Sequence, residues 1–233
     1  MENGFSNHLK ELMAEWAEHH RQNGFTCFIS DGAVNDRVYE SSHPKIVFFL
    51  KEAYSKNNNS WSLTQWLDEG AMTRMWGTVA EWIYGIRNTT PTLIPPRPQL
   101  TNDQKTALLR TIAIINAKKS NGKTASDYND LLHSVQNDWT YLKRELELLS
   151  PDIIVCGNTS GLLRVLYGAT VSNQTVNADG LIPAERMNQN GYALVGNQII
   201  IDYYHPANRY PSMLNYYALC SLYQQALKER TVL

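Results

Sequence analysis

The apolar positions of this chain fall into two periods. Leu9, Leu12, Met13, Trp16 and Ala17 recur at helical spacing and predict an amphipathic opening helix that ends near Gly24, with a solvated polar face. Lys45-Ile46-Val47-Phe48-Phe49-Leu50 is instead short, rich in β-formers and almost continuously apolar, as expected of a strand buried on both faces. Such strands belong to parallel sheets covered by helices, so a crossover should follow, and residues 66–86 have the pattern to supply it. Pro91, Pro95, Pro96 and Pro98 make residues 88–99 a stiff loop. A second buried strand, Thr111-Ile112-Ala113-Ile114-Ile115-Asn116, then runs into a basic turn, residues 117–123.

The strongest helical stripe comes next: Tyr128, Leu131, Leu132, Val135, Trp139, Leu142, Leu146 and Leu149 predict one long helix capped by Ser126 and stopped by Pro151. Ile153-Ile154-Val155-Cys156 is a third strand, and Gly157-Asn158-Thr159-Ser160-Gly161 turns from it into a helix through Leu166. Residues 170–190 are polar and weakly patterned, which suggests an irregular segment. Residues 192–195 and 199–203 form a hairpin about Gly196-Asn197, its second arm the last core strand. His205-Pro206 ends that strand, and residues 212–228 make a closing helix with Met213, Tyr216, Tyr217, Cys220, Tyr223 and Leu227 inward.

Composition narrows the class. At 233 residues, 43% hydrophobic and 18% charged, the chain reads as one globular α/β domain spanning 1–233. The charge-rich residues 1–23 do not form a signal peptide or spanning helix, which points to a cytoplasmic protein. Cys27, Cys156 and Cys220 are too few and too scattered for a disulfide framework or a cysteine cluster, and the adjacent His19 and His20 do not share a helical face, so they read as surface residues. Neither a metal nor a cofactor is expected. A net charge of −1 offers no global attraction to phosphate, so a nucleic-acid partner would need a local patch.

In open parallel sheets ligands gather outside the carboxyl ends of the strands. The four apolar strands deliver Lys51-Glu52-Ala53-Tyr54, then Asn116 with Lys118 and Lys119, then Gly157-Asn158-Thr159, then His205 with Arg209. In that order, Phe49-Leu50-Lys51-Glu52-Ala53-Tyr54, Ile114-Ile115-Asn116-Ala117, Ser150-Pro151-Asp152-Ile153-Ile154-Val155-Cys156-Gly157 and Tyr204-His205-Pro206-Ala207-Asn208-Arg209 resemble the strand-end motifs of the uracil-DNA glycosylase superfamily. The resemblance runs along nearly the whole domain. It implies a three-layer αβα sandwich with a central four-stranded, mainly parallel sheet and, as partner, single- or double-stranded DNA or a nucleotide-like ligand.

It also implies roles. The first motif places water, the asparagine reads the base edge and the His-Pro histidine steadies the departing base. Breaking an N-glycosidic bond leaves negative charge on the base, so a neutral His205 would be a suitable donor, although a histidine there can also simply end a strand. Asn116 offers a donor and an acceptor to a uracil edge, or else bonds its own turn. Tyr54 and Trp76 are candidates to stack on a base, though most such rings pack a core. Lys51, Lys118, Lys119, Lys123, Asn158 and Arg209 are candidates for phosphate, against the plainer reading of a solvated turn and a helix cap.

The first motif departs from the family, which usually carries glycine, then Asp or Asn, then proline where this chain has Lys51, Ala53 and Tyr54. Alanine cannot orient water. One branch has Glu-Ala here, which would give the task to Glu52 unless Lys51 pairs with it, but that branch also has a four-cysteine iron–sulfur site that three cysteines cannot build. The expectation is a diverged N-glycosidic hydrolase acting on uracil or a damaged base in DNA. Its rivals are a catalytically silent base-binding relative and an enzyme of free nucleotides or nucleosides.

Overall fold

The computed structural model describes residues 4–123, 125–171 and 190–231. Helix α1 (Gly4–Gln22) leads into β1 (Ile29–Ser30), β2 (Gly32–Ala33), α2 (Asp36–Ser41) and the strand β3 (Ile46–Glu52). Then come β4 (Trp61–Ser62), α3 (Leu63–Asp68), α4 (Arg74–Asn88), α5 (Asn102–Leu109) and β5 (Ile112–Lys118). The second half carries α6 (Tyr128–Asn137), α7 (Trp139–Leu149), β6 (Ile153–Gly157), α8 (Ser160–Val171), β7 (Tyr192–Val195), β8 (Gln198–Tyr203) and α9 (Ser212–Arg230).

The sheet order is β2-β5-β3-β6-β8-β7. The four inner strands are parallel, and β2 and β7 pair antiparallel at its two edges. The four apolar runs are those inner strands, and the two edge strands widen the expected four-stranded sheet to six. β1 and β4 form a separate parallel pair.

Alternation along the strands splits the core in two. Ile46, Phe48 and Leu50 of β3, with Ile112, Ile114, Ile153, Val155, Ile199, Ile201 and Tyr203, face α4, α5 and α9. Val47 and Phe49, with Ala113, Ile115, Ala117, Ile154, Cys156 and Ile200, face α1, α6, α7 and α8. Helices thus cover both faces of a mostly parallel sheet. Each fully buried aliphatic side chain contributes about 1.5–3 kcal/mol, so these strands anchor the fold.

Several local expectations change. The long helix is two helices, because Asp138 leaves helical geometry (φ −101°, ψ 10°) and offers no cap to α7. Its carboxylate instead meets His20 Nε2 at 2.8 Å. His20, expected at the surface, is only 3% exposed and packs edge-on against Trp16 and Phe28. Asp127, not Ser126, caps α6. α5 arises where a loop was expected to lead straight into a strand, and Thr101 and Gln104 cap it reciprocally. Tyr128, Met213 and Tyr217 were expected inward but are exposed. The three cysteines are buried and free. Residues 172–189 of the expected irregular segment lie outside the described residues. Among the described residues, no helix is long and apolar enough to cross a membrane.

Candidate functional site at the carboxyl edge of the sheet

Register aligns the strand ends. Asn116 pairs with Leu50, Phe49 pairs with Cys156, and Gly157 pairs with Tyr203, so Asn116, Leu50, Gly157 and Tyr203 form one row across four strands. By the two-residue period they share the face of the first core cluster. A β-carbon added to Gly157 would lie 2.6 Å from Leu50 Cδ2, 3.4 Å from Pro206 Cδ and 3.6 Å from the Cα of His205. The chain after β8 therefore folds back over Gly157 beside Leu50, an approach that only a residue without a side chain permits. Asn116 and the His205 turn thus lie toward one face of the sheet, the turn over β6 and Asn116 on β5 with β3 between them.

The His205 turn is firmly built. Both the backbone N–H and the Nδ2 of Asn208 donate to the His205 carbonyl at 2.9 Å, and Asn208 Oδ1 accepts from Tyr210 N–H and from the buried Asn215 of α9. The backbone N–H of Ala207 donates to His205 Nδ1 at 3.2 Å. A neutral imidazole with Nδ1 accepting carries its proton on Nε2. Burial and the nearby Lys51 ammonium push the His205 pKa down to about 4, so the ring is neutral at physiological pH. Tyr204 and Tyr210, both exposed, meet beside it with ring centres 4.9 Å apart.

Asn116 does not end its strand; β5 continues through Lys118. It is 3% exposed and bonds a distant partner rather than its own turn, its backbone N–H and Nδ2 donating to Asp31 Oδ2 at 2.7 and 2.9 Å. Asp31 Oδ1 accepts from Lys119, whose ammonium also reaches Glu145 Oε2 at 2.9 Å and lies 4.7 Å from the Trp16 ring centre. Burial alone would lower Lys119, but Asp31 and Glu145 overcome it and hold the ammonium charged. Burial pushes Glu145 well above the usual carboxylate range.

Two expected phosphate contacts are corrected by these pairings. Lys119 is fully buried between two carboxyl groups, and Lys118 is nearly so, 2.6 Å from Asp130 and 3.3 Å from Glu52. A cation whose charge is already met inside the protein has none left for phosphate. Glu52 thus pairs with Lys118 rather than Lys51. Its carboxylate also accepts weakly from Lys123 N–H at 3.3 Å, and a β-carbon on Gly122 would sit 2.7 Å from its Cγ. Asn121 bonds Ser55 in both directions and Gly122 N–H donates to the Ala53 carbonyl, so the basic turn is laced onto the loop after β3.

The remaining candidates divide. Trp76 is 4% exposed inside the first core cluster, so its ring faces are spent on packing rather than on a base. Tyr54 is 58% exposed on the loop after β3. Lys51 is half-buried near His205, and Arg209 is exposed on the His205 turn. Asn158 is exposed in left-handed geometry (φ 61°), where its N–H donates to the Tyr203 carbonyl at 2.7 Å and fixes the turn after β6.

Asp31 escaped sequence reasoning. Asp31-Gly32 is an ordinary turn signal, and the contact that matters spans 85 residues. A cleft of about 500 Å³ opens at the carboxyl end of β5, lined by Cys27, Asn58, Lys118, Asn121, Lys123 and His133 among others; Asn116 and His205 do not line it. Among the described residues, no group of three or more His, Cys, Asp or Glu side chains is placed to hold a metal.

Compared with models of known protein families and with curated proteins, the chain matches no family model and no curated protein.

Proposed function

We propose that this chain is a uracil-DNA glycosylase-like hydrolase that cleaves the N-glycosidic bond to uracil or a damaged base in DNA. The observation that carries the reading is His205: a neutral imidazole, with Nδ1 taken by a backbone N–H and Nε2–H left to donate, set at the carboxyl edge of a parallel sheet. In hydrolysis the C1′–N bond breaks and its electron pair stays on the base. A donor that keeps its own proton stabilises that anion as it forms. Asn116 recognises the opposite edge of the base, and Tyr54 is the exposed ring available to stack on it. Water adds to C1′ and gives a proton to a carboxylate, for which Glu52 is the candidate. With Lys118 and Lys119 internally paired, phosphate contact falls to Lys51, Arg209 and the Asn158 turn, so binding should have a shallow salt dependence.

One observation favours a second reading, base binding without cleavage. The Glu52 carboxylate is held by Lys118 and covered by Gly122, which opposes its use on water. Incubation with single- and double-stranded oligonucleotides containing uracil, followed by alkali, distinguishes the two. Strand breaks that fall about 10²–10³-fold in His205→Ala support hydrolysis. Salt-dependent binding without breaks supports the second reading, and turnover of free nucleosides in preference to DNA would replace both.

A further inference from the structure

Where α1 ends and α6 gives way to α7, a cavity of about 420 Å³ opens, lined by His19, His20, Asn23, Phe25, Asn137 and Asp138. Asn116 and His205 do not line it. Asp138 supplies its charge. That side chain is only 7% exposed, and its Oδ2 accepts from His20 Nε2 at 2.8 Å. Its Oδ1 has no protein partner among the described residues and is not sealed from solvent, so one oxygen of a nearly buried carboxylate is left to the cavity. A carboxylate this far from water is costly unless a donor or a cation meets it. The second nitrogen of His20, Nδ1, is buried with no partner, so nothing in the fold holds a proton there and the ring serves Asp138 through Nε2 alone.

The rest of the lining suits a positive ligand. α1 and α6 both end at the cavity, which gathers the partial negative charge of two helix carboxyl ends; α7 begins beside them with the opposite sign, one end against two. Asn23 spends Nδ2 on the His19 carbonyl at 2.8 Å, which leaves its Oδ1 to accept, and Asn137 brings a second amide oxygen. The Phe25 ring, 48% exposed, has its centre 5.0 Å from that of His20. Arg21, the basic side chain that follows His20 on α1, is held by Glu18 at 2.6 Å and does not compete for Asp138.

We infer that this cavity is a binding site for a primary alkylammonium ion, with Asp138 Oδ1 and the amide oxygens of Asn23 and Asn137 accepting its N–H groups and Phe25 covering its carbon chain. An ammonium group has three donors and no acceptor, which matches three oxygens that can only accept. The aromatic face adds cation–π attraction. An anion would be repelled by the carboxylate, and a neutral alcohol would leave its charge uncompensated.

The test is titration of n-butylammonium, and of n-butanol as its neutral counterpart, into the ¹⁵N,¹³C-labelled protein at pH 7, read at the Asp138 carboxyl carbon and the His20 and Phe25 rings. The ammonium should saturate these signals at least about 10-fold more tightly than the alcohol, as a charge-assisted hydrogen bond provides. Asp138→Asn should abolish that preference, and Phe25→Ala, at an exposed position, should weaken the ammonium about 2- to 5-fold. A capped lysine separates the sources of the ammonium group: its exclusion assigns the cavity to a free amine, and its binding as tightly as n-butylammonium assigns the cavity to a lysine side chain of a partner. No saturation at these signals, equal binding of the alcohol, or ammonium binding unaltered in folded Asp138→Asn or in Phe25→Ala overturns the site. If Asp138→Asn does not fold, the alcohol comparison in wild type and the Phe25→Ala titration decide on the same terms.

Discussion

Two polar regions grow from the ends of two strands of one sheet, β5 and β8, and meet opposite fates. At the outer end of β5, Lys119 turns to the α1–α7 side and is sealed between Asp31 and Glu145. Past the end of β8, His205 stays at the rim, uncharged, with one nitrogen fixed and the other left to donate. Both are polar residues at strand ends, and from sequence alone both were candidates to touch a ligand. The groups that oppose each one decide its use. A cation facing two carboxyl groups becomes structure, whereas a neutral ring facing a backbone N–H keeps chemistry to spare.

The largest effect should come from breaking the sealed region. Lys119→Met leaves Asp31 buried without its counter-ion, and urea unfolding should register a loss of about 3–5 kcal/mol. A loss below about 1 kcal/mol would mean that the two regions differ less than argued. Next in size, Gly157→Ala drives a methyl group into Leu50 and the His205 turn, which should cost about 1–3 kcal/mol in urea unfolding and depress cleavage more than His205-independent binding. A neutral substitution with unchanged activity would show that the approach over Gly157 is unimportant.

Smaller effects separate the regions by pH. Glu145 in the fold keeps its proton above the usual carboxylate range, while the unfolded chain releases it near 4.5. Its contribution to stability is therefore complete below about 4.5 and is lost as pH rises toward the folded value. Glu145→Gln should remove that dependence, as urea unfolding over a pH series would register. His205 has the opposite sign. Its folded pKa near 4 lies below its ordinary 6.5, so its contribution is complete above 6.5 and is lost as pH falls toward 4. Cleavage that uses neutral His205 should be flat from pH 8 to about 5 and decline near 4; a decline centred on 6.5 would count against the neutral donor.

Much of this architecture was legible in the residues. Four β-branched apolar runs mark the four parallel strands because double burial leaves little room for polar positions. The short strands β1, β2 and β4 have two residues each, too few to show any period. Helix α5 went unrecognised although Thr101 and Gln104 spell its cap, because Leu109 is its one buried residue and no apolar stripe develops. The break at Asp138 has no local signal, and the partner its carboxylate meets there, His20, lies 118 residues away. The same limit governs the site. His205 and Asn116 stand out as strand-end residues, but the burial of both lysines and the grip of Asp31 on Asn116 depend on partners that only the fold assembles.

The most direct measurement is the response of two side chains to one ligand. When uracil is titrated into the labelled protein at pH 7, the His205 Nε2 and Asn116 Nδ2 signals should shift together along a single saturation curve, as they would on opposite edges of one bound base. Saturation with neither signal moving, or with only one, would contradict a shared site between the last strand and β5.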